Sequence, residues 1–292
     1  MRERAQKFDP RQDMLTPDFE IFHYHHAHSA DVELHHHNFY MVYYFLGDKT
    51  RFQVNGRIYS LQAGDLLLIA PTEFHRPIPD AKAQSSERIV LWINKGFMDQ
   101  FTTDEVCLTQ CFDSSLPDHT CLLRPNVTQR ANLTQWLGDL LHETNHHDFG
   151  SELCCRGILL QLLTALNRLS LQAAPPIDTQ GPSPLAAKVL DYINEHYNES
   201  LSLESLAQQF FVSKYHLSHE FSTVVGTSVY RCIMLKRLHM AKQMLASGMS
   251  PGSVYGPCGF SDYANFFRAF KSQYGVSPSD CVEKPQKETG AV

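Results

Sequence analysis

No run of about 18 apolar residues occurs in the 292-residue chain, so no segment has the length and composition of a membrane-spanning helix. The opening stretch, MRERAQKFDPRQD, is charged throughout and has no apolar core to serve as a secretion signal. The cytoplasm is therefore the expected compartment, where the eight cysteines should stay reduced. Their spacing also lacks the regularity of a disulfide framework. A cationic surplus is missing as well: the formal net charge is −6, which argues against indiscriminate binding of nucleic acid. With 43% hydrophobic and 19% charged residues the chain is not of the disordered class, and its length accommodates two ordinary domains.

The charge that is present divides unevenly. From Leu185 onward ten Lys and Arg stand against nine Asp and Glu, a balance of +1 that leaves −7 for the rest. Within Leu203–Lys242 the count is five against two, or +3. A mildly basic region inside an acidic chain suits sequence-specific DNA binding, in which base contacts add to phosphate contacts.

A seam is visible at residues 171–184, LQAAPPIDTQGPSP, where four prolines and one glycine give the makeup of an exposed linker. Before it, FYMVYYFLG, TRFQVNGRIYSL and GDLLLIAP read as short strands, and Asn55-Gly56 marks a hairpin because both residues tolerate the positive φ of a type I′ turn. Strands at this spacing suggest a small antiparallel barrel or sandwich. Then the period changes. Leu133, Trp136, Leu137, Leu140 and Leu141 make one helical stripe, and Leu159, Leu162, Leu163 and Leu166 make a second. Two such helices either close the core of the strands or pair two subunits. After the seam everything reads as helix, giving an α+β chain of two domains.

The helical part contains a repeat: VSKYHLSHEFSTVVGTS (212–228) and FSDYANFFRAFKSQYGVS (260–277) align on Phe221 and Phe270. Each copy offers a capping serine, Ser213 or Ser261, an inward apolar pair, and a glycine suited to a helix C-terminus. Helix, short turn, capped helix is the helix-turn-helix pattern, here present twice. With Leu217 and Phe221 inward, Tyr215, Ser218, His219 and Ser222 fall on the opposite side of the first recognition helix. With Phe266 and Phe270 inward, Ala264, Phe267, Arg268 and Lys271 fall outward on the second, and Asn265 lies at the edge. Arg268 suits guanine and Asn265 suits adenine, and apolar groups such as Tyr215 and Phe267 suit thymine methyls.

The first domain carries a histidine tract, IFHYHHAHSADVELHHHNFY, with seven histidines between His23 and His37. Strand alternation puts His35 and His37 on one face and His36 on the other. The set reads as the wall of an organic-ligand pocket, as structural histidines or as a metal site; the first is favoured, because imidazoles hydrogen-bond hydroxyls and Tyr40, Tyr43 and Arg51 add polar handles. Cys107, Cys111, His119 and Cys121 are too loosely spaced to favour zinc over isolated thiols.

On SLESLAQQFFVSKYHLSHEF, RLHMAKQML and CGFSDYANFFRAFKSQYGVSPSDC the chain resembles the AraC/XylS family of bacterial transcription regulators. Its front half, on HHHNFYMVYYFLG, VNGRIYSLQAGDLLLIAP and EFH, resembles the cupin-type sensor domain common in that family. The resemblance implies a cupin-like β-barrel with two following helices over 1–170, a linker over 171–184, a DNA-binding domain over 185–282 and a tail over 283–292. It further implies a homodimeric activator that binds promoter DNA, works with RNA polymerase, and answers to a small polar, sugar-like effector held by His35, His37, Tyr40, Tyr43, Arg51 and His75. No enzymatic activity, cofactor or metal is expected. Cupin enzymes hold a metal through two histidines, a glutamate and a distant histidine; this chain matches at His35, His37 and His75 but has Met41 at the glutamate position. A metal- or pH-responsive regulator, and a cupin enzyme fused to a DNA-binding module, are the competing readings. Two departures bear on structure. Phe211 stands where the family places a turn glycine, so it must avoid or strain a left-handed conformation. Pro257 stands where the family has a helix former; inside a helix it costs about 3 kcal/mol.

Overall fold

The computed structural model describes residues 14–26, 32, 34–71, 73–78, 86–103, 105–113, 116, 119–172, 179–180 and 184–282. The chain divides into two compact units, Met1–Gln180 and Gly181–Val292. His28 and the tail from residue 283 lie outside the described residues. Among the described residues no helix is long and apolar enough to cross a membrane.

The first unit is built from β1 (Phe19–His26), β2 (Tyr40–Phe45), β3 (Lys49–Val54), β4 (Arg57–Gln62), β5 (Leu66–Ile69), β6 (His75–Ile78), β7 (Ser86–Ile93), α1 (Lys95–Gln100), β8 (Leu122–Leu123), α2 (Val127–His146), α3 (Ser151–Ser170) and β9 (Thr179–Gln180). The strands form two sheets, ordered β1-β7-β2-β5-β8 and β6-β3-β4-β9. Among the described residues the two sheets do not close into the expected barrel. Aromatic side chains line the interior between the sheets, with Tyr24, Phe39, Tyr43, Phe45, Phe52, Tyr59 and Trp92 in one buried cluster. An isolated bridge between His35 and His75 ties the segment leading into β2 to β6 of the other sheet.

Alternation sets both faces of the large sheet. Met41, Tyr43 and Phe45 of β2 point between the sheets, whereas Val42 and Tyr44 join Leu133, Leu137, Leu140, Leu159, Leu162 and Leu166 of α2 and α3 in a second core. The two helices thus cover the outer face of the large sheet. A one-residue slip would exchange these faces, so burial of about 1.5–3 kcal/mol per large side chain fixes the register. The hairpin between β3 and β4 turns at Asn55 and Gly56, with φ of 45° and 80°, as the Asn-Gly signal requires. Part of the expected linker is not a linker: Thr179–Gln180 form β9 and pair with Ile58 and Tyr59 on what would otherwise be the open edge of β4.

The second unit contains α4 (Pro184–His196), α5 (Leu203–Gln209), α6 (Lys214–Val225), α7 (Val229–Ala246), α8 (Pro251–Val254), α9 (Tyr263–Tyr274) and a terminal 3-10 turn (Pro278–Cys281). Leu217, Phe221 and Val225 of α6 are buried, and α6 packs on α4 and α5. Phe266 and Phe270 of α9 enter a separate core with Leu238, Ala241 and Leu245 of α7 and Val254 of α8. The long helix α7 joins the two halves.

Candidate functional site

Each unit carries one candidate site. In the second, Ser213 caps α6 by accepting from the His216 N–H at 3.1 Å, and Gly226 ends the helix at φ 84°. The corresponding cap of α9 is Asp262 rather than Ser261; its carboxylate accepts from the Asn265 N–H at 2.8 Å, and Gly275 ends the helix at φ 74°. Aspartate wins because its oxygen reaches the third helical N–H from the residue immediately before the helix, one place nearer than Ser261.

These caps orient the outward faces. Tyr215 is 83% exposed, His219 and Ser222 are exposed, and Ser218 is half-buried. On α9, Ala264, Asn265, Arg268 and Lys271 are exposed and Phe267 is half-buried beside Tyr263. A chain of bonds holds the polar groups in place: Asn265 Nδ2 donates to Asp262 at 2.5 Å, and Arg268 Nη2 donates to Asn265 Oδ1 at 2.5 Å. The Asn265 amides, together with Ser261 and Arg268, keep the Asp262 carboxyl below the usual carboxylate range.

Pro257 does not sit inside a regular helix. Helix α8 ends at Val254, and the turn that follows closes with the Gly259 N–H donating to Gly256 O at 2.8 Å and the Phe260 N–H to Tyr255 O at 3.0 Å. These are the two bonds of a Schellman closure with Gly259 at its left-handed position, φ 83°. The first turn closes the same way, Phe211 N–H to Gln208 O at 3.2 Å and Val212 N–H to Ala207 O at 2.9 Å. There the left-handed residue is Phe211, φ 55°: it adopts the strained conformation rather than avoiding it.

The histidines of the first unit converge. His35 and His75 exchange backbone hydrogen bonds of 3.2 and 2.9 Å, and their rings lie 4.3 Å apart. The His37 ring is 4.7 Å from His75 and stacks on Phe39 at 4.0 Å, whereas His36 packs edge-on against Phe74. His37 Nδ1 lies 2.8 Å from Phe39 O, and His75 Nδ1 lies 2.8 Å from Glu73 O. A carbonyl oxygen only accepts, so each Nδ1 carries the proton. Burial, with the neighbouring imidazoles, drops both rings well below the ordinary histidine range and keeps them neutral. Their Nε2 lone pairs are left buried without a partner.

Tyr43 faces the same interior, 4.8 Å from the Phe52 ring, and burial pushes its phenol up to about 12. Tyr40 and Arg51 do not join it. Tyr40 points to the helix side of the sheet, where its ring meets Phe112 at 4.8 Å, because it has the opposite parity from Tyr43. Arg51 is exposed, because Phe52 and Val54 take the inward positions of β3. Sequence reasoning overlooked Arg88. It is buried, shares the inward parity of Val90 and Trp92, sits 5.1 Å from the Tyr24 ring and donates to Ser86 O and Oγ. An arginine inside the apolar run of β7 was the available signal. Among the described residues no three His, Cys, Asp or Glu side chains are disposed to hold a metal ion. Cys111 and Cys121 are buried thiols pushed up to about 12.

Residues 17–163 match the model of the AraC-like ligand binding domain, and residues 206–284 match that of a helix-turn-helix domain. The arabinose operon regulatory protein of Salmonella typhimurium is 28% identical over 236 residues, 77% of each chain. The HTH-type transcriptional activator RhaS of Escherichia coli is 22% identical over 252 residues, 86% of this chain and 87% of that one. Among solved structures, the C-terminal domain of AraT, a response regulator from Geobacillus stearothermophilus, is 25% identical with a TM-score of 0.35, covering 37% of this chain and 95% of that domain. A sheet-rich ligand-binding unit followed by a double helix-turn-helix unit, each matched by its own family model, makes this chain a member of the AraC family of ligand-responsive, DNA-binding transcription regulators.

Proposed function

We propose that the chain is a homodimeric transcription activator that takes a small, polyhydroxylated, sugar-like effector between the sheets of its first unit and reads promoter DNA with α6 and α9. The observation that carries the effector class is the pair of buried, unpartnered Nε2 lone pairs on His37 and His75. Each such group costs about 1–3 kcal/mol until something donates to it. Hydroxyl groups do so and can also accept from the buried Arg88, whereas a carboxylate can accept from Arg88 but has no proton to donate and leaves both Nε2 lone pairs unsatisfied. The effector set is therefore His35, His37, Tyr43, His75 and Arg88; Tyr40 and Arg51 drop out. Met41 points into the same interior and supplies no carboxylate, which favours an organic effector over a metal.

DNA reading rests on Tyr215, Ser218, His219 and Ser222 of α6 and Ala264, Asn265, Phe267, Arg268 and Lys271 of α9. Effector and DNA communicate only so far as the effector binds the DNA-competent arrangement more tightly than the incompetent one. Dimerisation through α3, whose Leu153 is exposed, and recruitment of RNA polymerase complete the reading.

The test is calorimetric titration of the full chain with a panel of pentoses, hexoses, polyols and sugar acids, followed by DNA binding with and without each hit. A neutral polyol that binds wild type, fails to bind His37→Ala or His75→Ala, and changes DNA affinity supports the reading. Binding confined to carboxylates rejects it.

A further inference from the structure

Three helical segments of the DNA-binding unit end in the same Schellman closure, and one is built from the wrong residue. After α7 the closure has Gly248 at its left-handed position, φ 89°, with Gly248 N–H to Leu245 O at 2.9 Å and Met249 N–H to Met244 O at 3.1 Å. After α8 it has Gly259, where an added Cβ would lie 2.9 Å from both Arg237 Nε and Tyr197 O. After α5 it has Phe211 at φ 55°. Glycine takes this conformation without penalty, while a phenylalanine crowds its own Cβ against the backbone.

Among the described residues of the unit, nothing offsets that strain. The Phe211 side chain is 96% exposed, so it gains no burial, and its N–H is already used in the closure. The ring faces outward, two residues before the Ser213 cap of α6. Tyr215, one helical turn further on, is 83% exposed. Two bare aromatic rings therefore flank the N-terminal end of one helix. Strain held at a surface position without internal compensation marks positions where an outside partner uses the residue.

We propose that Phe211 is a DNA-contacting residue: its ring packs on the apolar edges of the duplex, deoxyribose carbons or a thymine methyl, beside the N-terminal end of α6. This rests on α6 being a DNA reader. DNA is favoured over a protein partner by continuity: the first-turn N–H groups of α6 suit a phosphate, and the ring stands next to them where the adjoining sugar would lie.

The probe is the duplex enriched from a random library by the full-length wild-type protein. Affinity for it and the thermal midpoint are measured for Phe211→Gly, Phe211→Leu and, in parallel, His219→Ala. Phe211→Gly should hold or raise the midpoint, because the strain is gone, yet weaken affinity by about five-fold or more. Phe211→Leu should keep part of the affinity. Wild-type affinity in Phe211→Gly overturns the proposal. So does unchanged affinity with loss only of transcription by purified RNA polymerase, which makes Phe211 a protein contact. Base preference lost in His219→Ala while Phe211→Gly binds normally defeats Phe211 alone. No change in either variant defeats the reading of α6 as well.

Discussion

The two helix-turn-helix halves are the same device made from different parts. Both turns are Schellman closures, yet the first has one residue between its left-handed position and the next cap, Val212, and the second has two, Phe260 and Ser261. The first turn leaves Phe211 in solvent; the second tucks Phe260 into the core of α7, α8 and α9. Their outward faces differ as well. The α6 face offers hydroxyls, an imidazole and a phenol, and the α9 face offers an amine beside a guanidinium and an amide that are bonded to each other. Backbone closure keeps the shape, and the side chains are free to divide the work: on the proposed reading, α9 would attract the duplex by charge and α6 would discriminate by shape and hydrogen bonding.

The separate cores give the largest test. Phe221→Ala and Phe270→Ala should each cost about 3–5 kcal/mol, because both rings are fully buried. If the halves are independent, hydrogen exchange will rise in α4–α6 for the first variant and in α7–α9 for the second. Exchange spreading through both halves in either variant breaks the comparison, since the cores would then be one cooperative unit.

A second test acts on the helix they share. Lys236 of α7 is buried among Cys232, His239 and the Tyr197 ring 5.9 Å away, and burial lowers its ammonium to about 8. A lysine whose pKa falls on folding costs stability whenever it must be charged. The cost is complete below pH 8, shrinks between pH 8 and 10.5, and vanishes above. Lys236→Met should therefore stabilise the second unit at pH 7 by about 3 kcal/mol and by nothing near pH 10.5. Urea unfolding across that range measures it. A gain that does not change with pH would assign the effect to packing instead.

Much of this was legible in the sequence because it is local. Asn55-Gly56 named its hairpin, the leucine periods named α2 and α3, and alternation placed His35 and His37 together. Alternation also held corrections that went unread. Counting by twos from His37 reaches Tyr43 and never Tyr40, and the apolar partners Phe52 and Val54 already turn Arg51 outward. The spacing that carries Phe221 onto Phe270 carries Ser213 onto Asp262, so the true cap of α9 was present in the repeat itself. What could not be read is non-local. β9 exists because the edge of β4 is available to two residues of a proline-rich seam, and Arg88 matters only once β7 is known to face the other sheet.

Base reading supplies the third test. His219→Ala and Arg268→Ala should each cost about 1–3 kcal/mol on the selected duplex and relax preference at one position. If charge attraction belongs mainly to α9, Arg268→Ala will also lower the salt dependence of binding, and His219→Ala at pH 8 will not. Equal salt slopes for both variants would erase the division of labour.

The smallest effect is expected at Pro257, and it bears on the second turn alone. Inside a helix the ring would clash and a donor would be lost, so replacing it with alanine would return about 3 kcal/mol. Pro257 instead follows the end of α8 and lies within the Schellman closure, between Gly256, whose carbonyl accepts from Gly259, and Cys258, whose N–H bonds to Val254 O at 3.2 Å. The bonds that shape this turn bypass its nitrogen, and its fixed φ stiffens the unfolded chain. Pro257→Ala should accordingly be neutral or destabilise by up to about 1 kcal/mol, with affinity falling slightly more on a full two-part site than on the part read by α6. Paired titration of the two duplexes gives the answer. A rise in full-site affinity alone would mean that the proline does strain the second reader, and that the two halves differ in stability as well as in side chains.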